Sequence, residues 1–321
     1  MTIDVEAAPS MNDSLAERAS RRLAALGLKL CTLRPVEARL HRVFYDVLAR
    51  RIKADEGWHF MNYGFHSQHF VDQPLSLRPE DAVDRCGIQL YHYLLTSLSI
   101  AGARVLEVGC GRCGGADYVQ RYLCPRLTVA LDRCSRTLGI AASRVRSGEI
   151  SLMAADAQQL PFVDRSFDVV INIESSHAYP RMESFLQEVV RVLAPGGFLA
   201  FADLRWAGHQ VESGSVSGLD RLKEQLEHCG LRMVQAADIS SGVLRARELE
   251  EVRSDVLIRT YAPWGLRRAF TELAALPGTM LNRSLREATL VYWSALLQKP
   301  RSCGAAPSAG VSLMTRQNLD R

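Results

Sequence analysis

The sequence predicts an α/β fold built on a doubly wound, mostly parallel sheet. Three observations point there. Between residues 104 and 204 short apolar runs alternate with helical stretches; a glycine-rich turn, VLEVGCGRCGGADYV, follows the first run; and the acids Asp132 and Asp156 close the next two. The composition agrees: 321 residues, 47% hydrophobic and 23% charged, exclude a disordered or fibrous chain.

Residues 13–26 and 36–51 carry apolar side chains at helical spacing, with Val36, Leu40, Val43 and Val47 on one face, so two amphipathic helices precede any strand. Residues 57–80 are aromatic, rich in histidine and interrupted by Gly64, Pro74 and Pro79, which predicts an irregular segment. A third helix is expected over about 81–98. Strands follow at 104–109, 127–132, 150–156, 167–173 and 197–204, with Asn172 and Asp203 at or near the carboxyl ends where ligands of open α/β sheets sit. A helix near 218–229 and strands at 231–240 and 287–298 complete the pattern; the last alternates in part, as an antiparallel strand would. Residues 241–286, containing Tyr261, Pro263, Trp264 and Phe270, form a helical insertion far longer than a hairpin needs, which suggests a substrate lid with Trp264 and Phe270 in its core. The small, polar tail 301–321 reads as disordered.

The glycine turn carries the chemistry. Gly109, Gly111 and Gly114 satisfy GxGxxG, glycines that permit unusual dihedrals and close approach of a ligand to bare backbone. Alone, that motif leaves nicotinamide and flavin enzymes open. Asp132 suits a ribose diol in either case, whereas Asp156, in AADAQQLPF, has no role in a dinucleotide fingerprint.

With SFDVVINIESSHAYP and LAPGGFLAFADL following in order, residues 100–205 resemble the class I S-adenosylmethionine-dependent methyltransferases. The resemblance implies a Rossmann-like, seven-stranded sheet with an antiparallel last strand, a methyltransferase domain over 100–300, an N-terminal helical cap over 1–99, and S-adenosylmethionine as cofactor. It makes the loop with Glu107, Gly109 and Gly111 the methionine-end contact, Asp132 with Arg133 the ribose contact and Asp156-Ala157 the adenine contact. Asn172 and Glu174 then lie on the strand beneath the methyl. Cys113 departs from the family, where many members have glycine. MNYGF (61–65), DRCGIQLYHYL, ESSHAYP and the terminal Lys299-Pro300 extend the likeness to the small-molecule branch containing phenolphthiotriolone-type lipid and polyketide-tailoring O-methyltransferases. That likeness places Tyr63 over the cofactor, with Gln89 and Tyr91 as weaker candidates, and His177 beside the methyl, where an imidazole can act as general base.

Other classes are disfavoured. No run approaches the roughly 18 apolar residues of a membrane span, and MTIDVEAAPSMNDS lacks a signal peptide's charge and apolar region, so a cytoplasmic location is expected. Eight scattered cysteines are no disulfide framework. The Cys110/Cys113 CxxC lacks a second half for zinc, and His59, His66 and His69 lack matching carboxylates, so no metal is expected. The 39 Lys and Arg residues include only four lysines, yet net charge is only +4. No DNA-methyltransferase (N/D)PP(Y/F) motif follows the fourth strand, which reads IESSHAYP, so nucleic acid is not an expected partner. The sequence thus predicts O-methylation of a hydroxyl on a hydrophobic lipid or polyketide-like metabolite. C-methylation of the sterol or tocopherol kind, or a non-methylating cyclase or binding protein that keeps the cofactor site, stays open, as does oligomeric state, a homodimer included.

Overall fold

A computed structural model describes residues 58–143, 145, 149–208, 218–301 and 311–313. The helices anticipated at 13–26 and 36–51 lie outside these residues. Seven strands, β1 (Arg104–Val108), β2 (Leu127–Asp132), β3 (Ile150–Ala154), β4 (Phe167–Ile173), β5 (Leu193–Trp206), β6 (Arg232–Asp238) and β7 (Leu290–Gln298), form one sheet in the order β3-β2-β1-β4-β5-β7-β6. The first five run parallel, and β7 pairs antiparallel with both β5 and β6. Reversal of strand order between β1 and β4 creates the crevice in which open α/β sheets bind ligands.

Period-2 alternation explains why the central strands are apolar throughout. Val105, Val169, Ile171, Phe198 and Ala200 feed one buried cluster, while Leu106, Val108, Val170, Leu199 and Phe201 feed a second on the opposite face. The edge strand β6 is mostly exposed and shifts register between Met233 and Gln235, an irregularity of the sort that discourages edge pairing.

Helices cover both faces: α1 (Arg85–Leu95), α2 (Gly114–Leu123), α3 (Ser135–Ala142), α4 (Met182–Val192) and α5 (Leu219–His228). In α4, Met182, Phe185, Leu186, Val189 and Val192 are buried at helical spacing. Its end is held by Lys299 Nζ, which donates to the carbonyls of Val190 (2.6 Å) and Leu193 (2.7 Å). The helix expected over 81–98 starts later, at Arg85, because Pro79 opens a 3-10 turn over Pro79–Asp84. The strand expected to reach residue 240 ends at Asp238, whose Oδ1 accepts the Ser240 amide (2.9 Å) and starts a helix.

The long insertion comprises α6 (Ser240–Leu249), α7 (Glu251–Tyr261), α8 (Arg267–Leu273) and α9 (Met280–Arg286). Phe270 is buried with Ile258, Ala262 and Leu276, as the sequence suggested, but Trp264 is 78% exposed and belongs to no core. Within the stretch expected to be disordered, the described residues 311–313 are packed: Val311 is buried in the main cluster, and Ser99 N donates to Ser312 O (3.0 Å).

The segment 58–68 passes as a strap between the sheet and the insertion. Phe65 N donates to Cys86 O and His66 N to Gly242 O, both at 3.0 Å. Gly242 is required there, since a Cβ would stand 2.1 Å from the buried Phe65 ring. Gly242→Ala should therefore destabilise the fold by about 1–3 kcal/mol, the usual cost of overpacking, measured as a lower midpoint of urea unfolding with unchanged slope.

Candidate active site

At the carboxyl end of β1, Gly109 (φ 78°) and Gly111 (φ 52°) take left-handed conformations. Amides of Gly109 and Cys110 donate to Leu131 O on β2, and Asp132 accepts from Gly111 N (2.9 Å) and Cys134 N (2.8 Å). The predicted ribose acid therefore also shapes the loop, and its burial raises its pKa. A Cβ on Gly109 would lie 2.2 Å from Ser175 Oγ, which excludes any other residue. Cys113 has φ 61°, a region that favours glycine, which gives a physical reason for the glycine that the family resemblance leads one to expect here. Its Sγ sits 3.3 Å from Cys110 Sγ, so the CxxC closes on itself inside the loop.

Two buried polar side chains flank this loop. Glu107 is 1% exposed, burial pushes its carboxyl up to about 7, and the carboxylate accepts from the Tyr91 hydroxyl at Oε1 and from the Ala116 backbone. Asn172 Nδ2 faces Val108 O (2.9 Å), Ser175 Oγ (2.8 Å) and Tyr179 Oη (3.0 Å). Glu107 Oε2 and Asn172 Oδ1 have no hydrogen-bond partner among the described residues. Glu107 pairs with Ile171 across the strands, so Asn172, the next residue, leaves the opposite face of the sheet, and the two side chains stand on either side of the strand ends. An unsatisfied buried carboxylate oxygen calls for a donor, and the ammonium group of a sulfonium cofactor would supply one at Glu107. At the other end of the crevice, Asp156 Oδ1 accepts Gln158 N (2.9 Å), the Arg133 charge helps lower its pKa against burial, and Ala157 packs into the core.

Tyr63 and Glu174 are brought together. Glu174, at φ 48°, accepts from Tyr63 N and from the Tyr292 hydroxyl, each at 2.6 Å. Burial pushes its carboxyl up to about 7. Tyr63 Oη donates to Leu273 O (2.7 Å) and Tyr63 O accepts from Arg247 Nε (2.8 Å), so one residue of the strap fastens β4, β7 and the insertion. Gln89 is fully buried and meets His66 Nδ1 at 3.1 Å, and His59 pairs with Asp84 at 2.8 Å.

His177 stands in a 3-10 turn, Ser176–Ala178, just past β4. Its Nδ1 lies 2.8 Å from Asp203 Oδ1, and its backbone N donates to Asp203 Oδ2 (2.9 Å). Asp203 is fully buried and also accepts from Ser176 Oγ (2.6 Å) and Leu204 N (2.8 Å). Burial opposes ionisation of Asp203, but His177, Arg205 and these donors hold its carboxyl far below the usual range. Burial would likewise depress the imidazole, yet the Asp203 charge outweighs it and raises His177 above its ordinary value. An ionised carboxylate only accepts, so the neutral imidazole carries its proton on Nδ1 and its lone pair on Nε2. The sequence placed His177 and Asp203 at strand ends without linking them. The link is register: Ile173 pairs with Ala202, so the residues that follow on β4 and β5 meet.

A cleft between the strap and helices α6 and α7 is lined by Trp58, Phe60, Cys86, Arg247, Glu250 and Arg253 among others. No helix among the described residues is long and apolar enough to cross a membrane.

Residues 106–201 match the family described as "Methyltransferase domain". The chain is 35% identical over 244 residues to a probable phthiotriol/phenolphthiotriol dimycocerosates methyltransferase 2 of Mycobacterium ulcerans, covering 76% of this chain and 90% of that one. It is 32% identical over 291 residues to a fatty-acid O-methyltransferase of Mycolicibacterium smegmatis, covering 91% and 99%. Among solved structures, the [4+2]-cyclase SpnF superposes with a TM-score of 0.61 at 18% identity over 83% of this chain and 95% of that one, a likeness of fold. A glycine loop between β1 and α2, an acid ending β2, another two residues past β3, and relatives matched over nearly their whole length agree, and the chain belongs to the class I S-adenosylmethionine-dependent methyltransferases.

Proposed function

We propose that the chain methylates a hydroxyl group of a hydrophobic, lipid-like molecule, with His177 as general base. The observation that carries this reading is the His177–Asp203 pair at 2.8 Å. Bound S-adenosylmethionine supplies an electrophilic methyl group on a sulfonium. Displacement is in line, so the protein's first task is to hold acceptor and methyl together. An alcohol must also lose its proton, and His177 Nε2 is the lone pair positioned for it, with Asp203 stabilising the imidazolium that forms. A carboxylate acceptor has no proton to lose and would not call for such a pair. The relatives named for phthiotriol derivatives and fatty acids support a lipid-like acceptor.

For the cofactor we assign Gly109, Gly111, Glu107 and Asn172 to the methionine end, Asp132 and Arg133 to the ribose, and Asp156-Ala157 to the adenine. Tyr63 and Glu174 form the clasp that holds the strap over them. The insertion closes the site as a lid and excludes water.

His177→Asn should cut methyl transfer to an alcohol by about 10²–10⁴-fold, the usual worth of a general base, while leaving S-adenosylhomocysteine affinity near wild type. In the wild-type enzyme kcat/KM should rise with pH through a value above the ordinary imidazole range and level off, because only neutral His177 accepts a proton; the mutant should lose that limb. Equal turnover in both would overturn the base. NMR of the product decides the acceptor: methoxy supports this reading, methyl ester points to a carboxyl acceptor, and a carbon-bound methyl sinks it.

Glu107→Gln separates binding from stability. The folded-state pKa of Glu107 is raised, so the carboxyl favours the fold when protonated and that contribution fades as pH climbs through about 7. At pH 8 the glutamine variant, neutral and still able to accept from Tyr91, should melt no lower than wild type without ligand. Its affinity for S-adenosylhomocysteine by calorimetry should fall by about tenfold or more, the loss expected when a charged hydrogen-bond acceptor is neutralised.

A further inference from the structure

We propose that Arg205 is a positioning residue of this reaction: braced against Asp203 and Ser176, its guanidinium fixes the turn that carries His177 and opposes the positive charge the imidazole gains on taking a proton. The inference rests on the reading of His177 as the base.

Arg205 is 1% exposed, although it stands next to the end of a sheet strand where a cation could reach water. Phe201, Asp203 and Arg205 alternate onto one face of β5, and the guanidinium carbon sits 5.6 Å from the centre of the Phe201 ring. Nη1 donates to Leu204 O (2.6 Å) and lies 3.3 Å from Asp203 Oδ2. Nη2 donates to Ser176 Oγ (2.6 Å), which passes its own hydrogen to Asp203 Oδ2 at 2.6 Å. Ser176 therefore has its hydrogen and one lone pair fixed, and the turn beginning at Ser176 is tied to β5 from both sides.

Charge balance gives this arrangement its purpose. A buried carboxylate needs a counter-cation. With no other cation present, Asp203 would recruit its partner by protonating His177, and a protonated imidazole is no base. Arg205 supplies a second cation at 3.3 Å, which offsets part of the Asp203 charge and weakens its pull on a second proton at His177. Among the described residues, Glu174 at the end of β4 also faces His177 and leads through its hydrogen bonds to Tyr292 on β7 and the strap at Tyr63. Ionised Glu174 pulls toward protonation and Arg205 pulls away from it.

The test is a titration of the ligand-free, full-length protein labelled with ¹⁵N-histidine, followed from pH 5 to 9, with the His177 ring signals assigned by their loss in His177→Asn. In Arg205→Gln, which keeps a donor toward Ser176 but drops the charge, the His177 midpoint should rise by about one pH unit, a tenfold gain in proton affinity of the size a neighbouring charge produces. Arg205→Lys, which keeps the charge, should stay within about 0.3 unit of wild type. The acid limb of kcat/KM should move with the midpoint; its position does not depend on how much protein is folded. An unmoved or lowered midpoint in Arg205→Gln overturns the proposal and leaves a structural role. Should Arg205→Gln fail to fold, Arg205→Met reads the same question, and a one-unit rise in Arg205→Lys overturns it as well. Because the ring titration needs no turnover, Arg205 and the base assignment can fail separately: loss of the midpoint shift removes the first, unchanged turnover in His177→Asn the second.

Discussion

Asp203 is the constraint around which this end of the sheet is organised. Fully buried on β5, it accepts hydrogen bonds from the His177 backbone, Ser176 Oγ and Leu204 N, faces His177 Nδ1 and carries Arg205 at 3.3 Å. A carboxylate so placed cannot shed its charge or relax, because each donor would be stranded. The turn after β4 has therefore one available position, and with it the imidazole. Four residues upstream of Ser176, Asn172 links the same strand to the glycine loop through Val108 O. His177 and the glycine loop share one strand as their ruler.

The second organising element is the strap. Its residue Tyr63 touches the end of β4 by its amide, α6 by its carbonyl and α8 by its hydroxyl. Glu174 and Tyr292 complete that junction from the sheet side. Segments separated by more than one hundred residues in sequence thus meet at a single dipeptide unit, and displacement of the insertion is felt at the strand that carries His177.

Most of the architecture was legible in the sequence because its signals are local. Apolar runs broken by glycine and acid at fixed positions declare βαβ units, and the order of motifs separates this crevice from a dinucleotide site. Boundaries erred where a single side chain redirected the backbone, as Pro79 and Asp238 did. The site was only half legible. His177, Asp132 and the glycines are marked by motifs, whereas the partnership of His177 with Asp203 and Arg205 depends on the β4–β5 register, which no local spacing encodes. Trp264 was misplaced because aromatic character alone does not say which way a short helical turn faces; it is exposed while Phe270, six residues on, is buried.

The position of β7 has a consequence for assembly of the chain. It lies between β5 and β6, yet it follows both in sequence, separated from β6 by the whole of α6 to α9. Until residues 290–298 are available, β5 keeps an open hydrogen-bonding edge and β6 has no neighbour to pair with. The sheet therefore closes late, through contacts of long sequence separation that are slow to form. During synthesis the half-finished edge of β5 is the surface most open to wrong pairing.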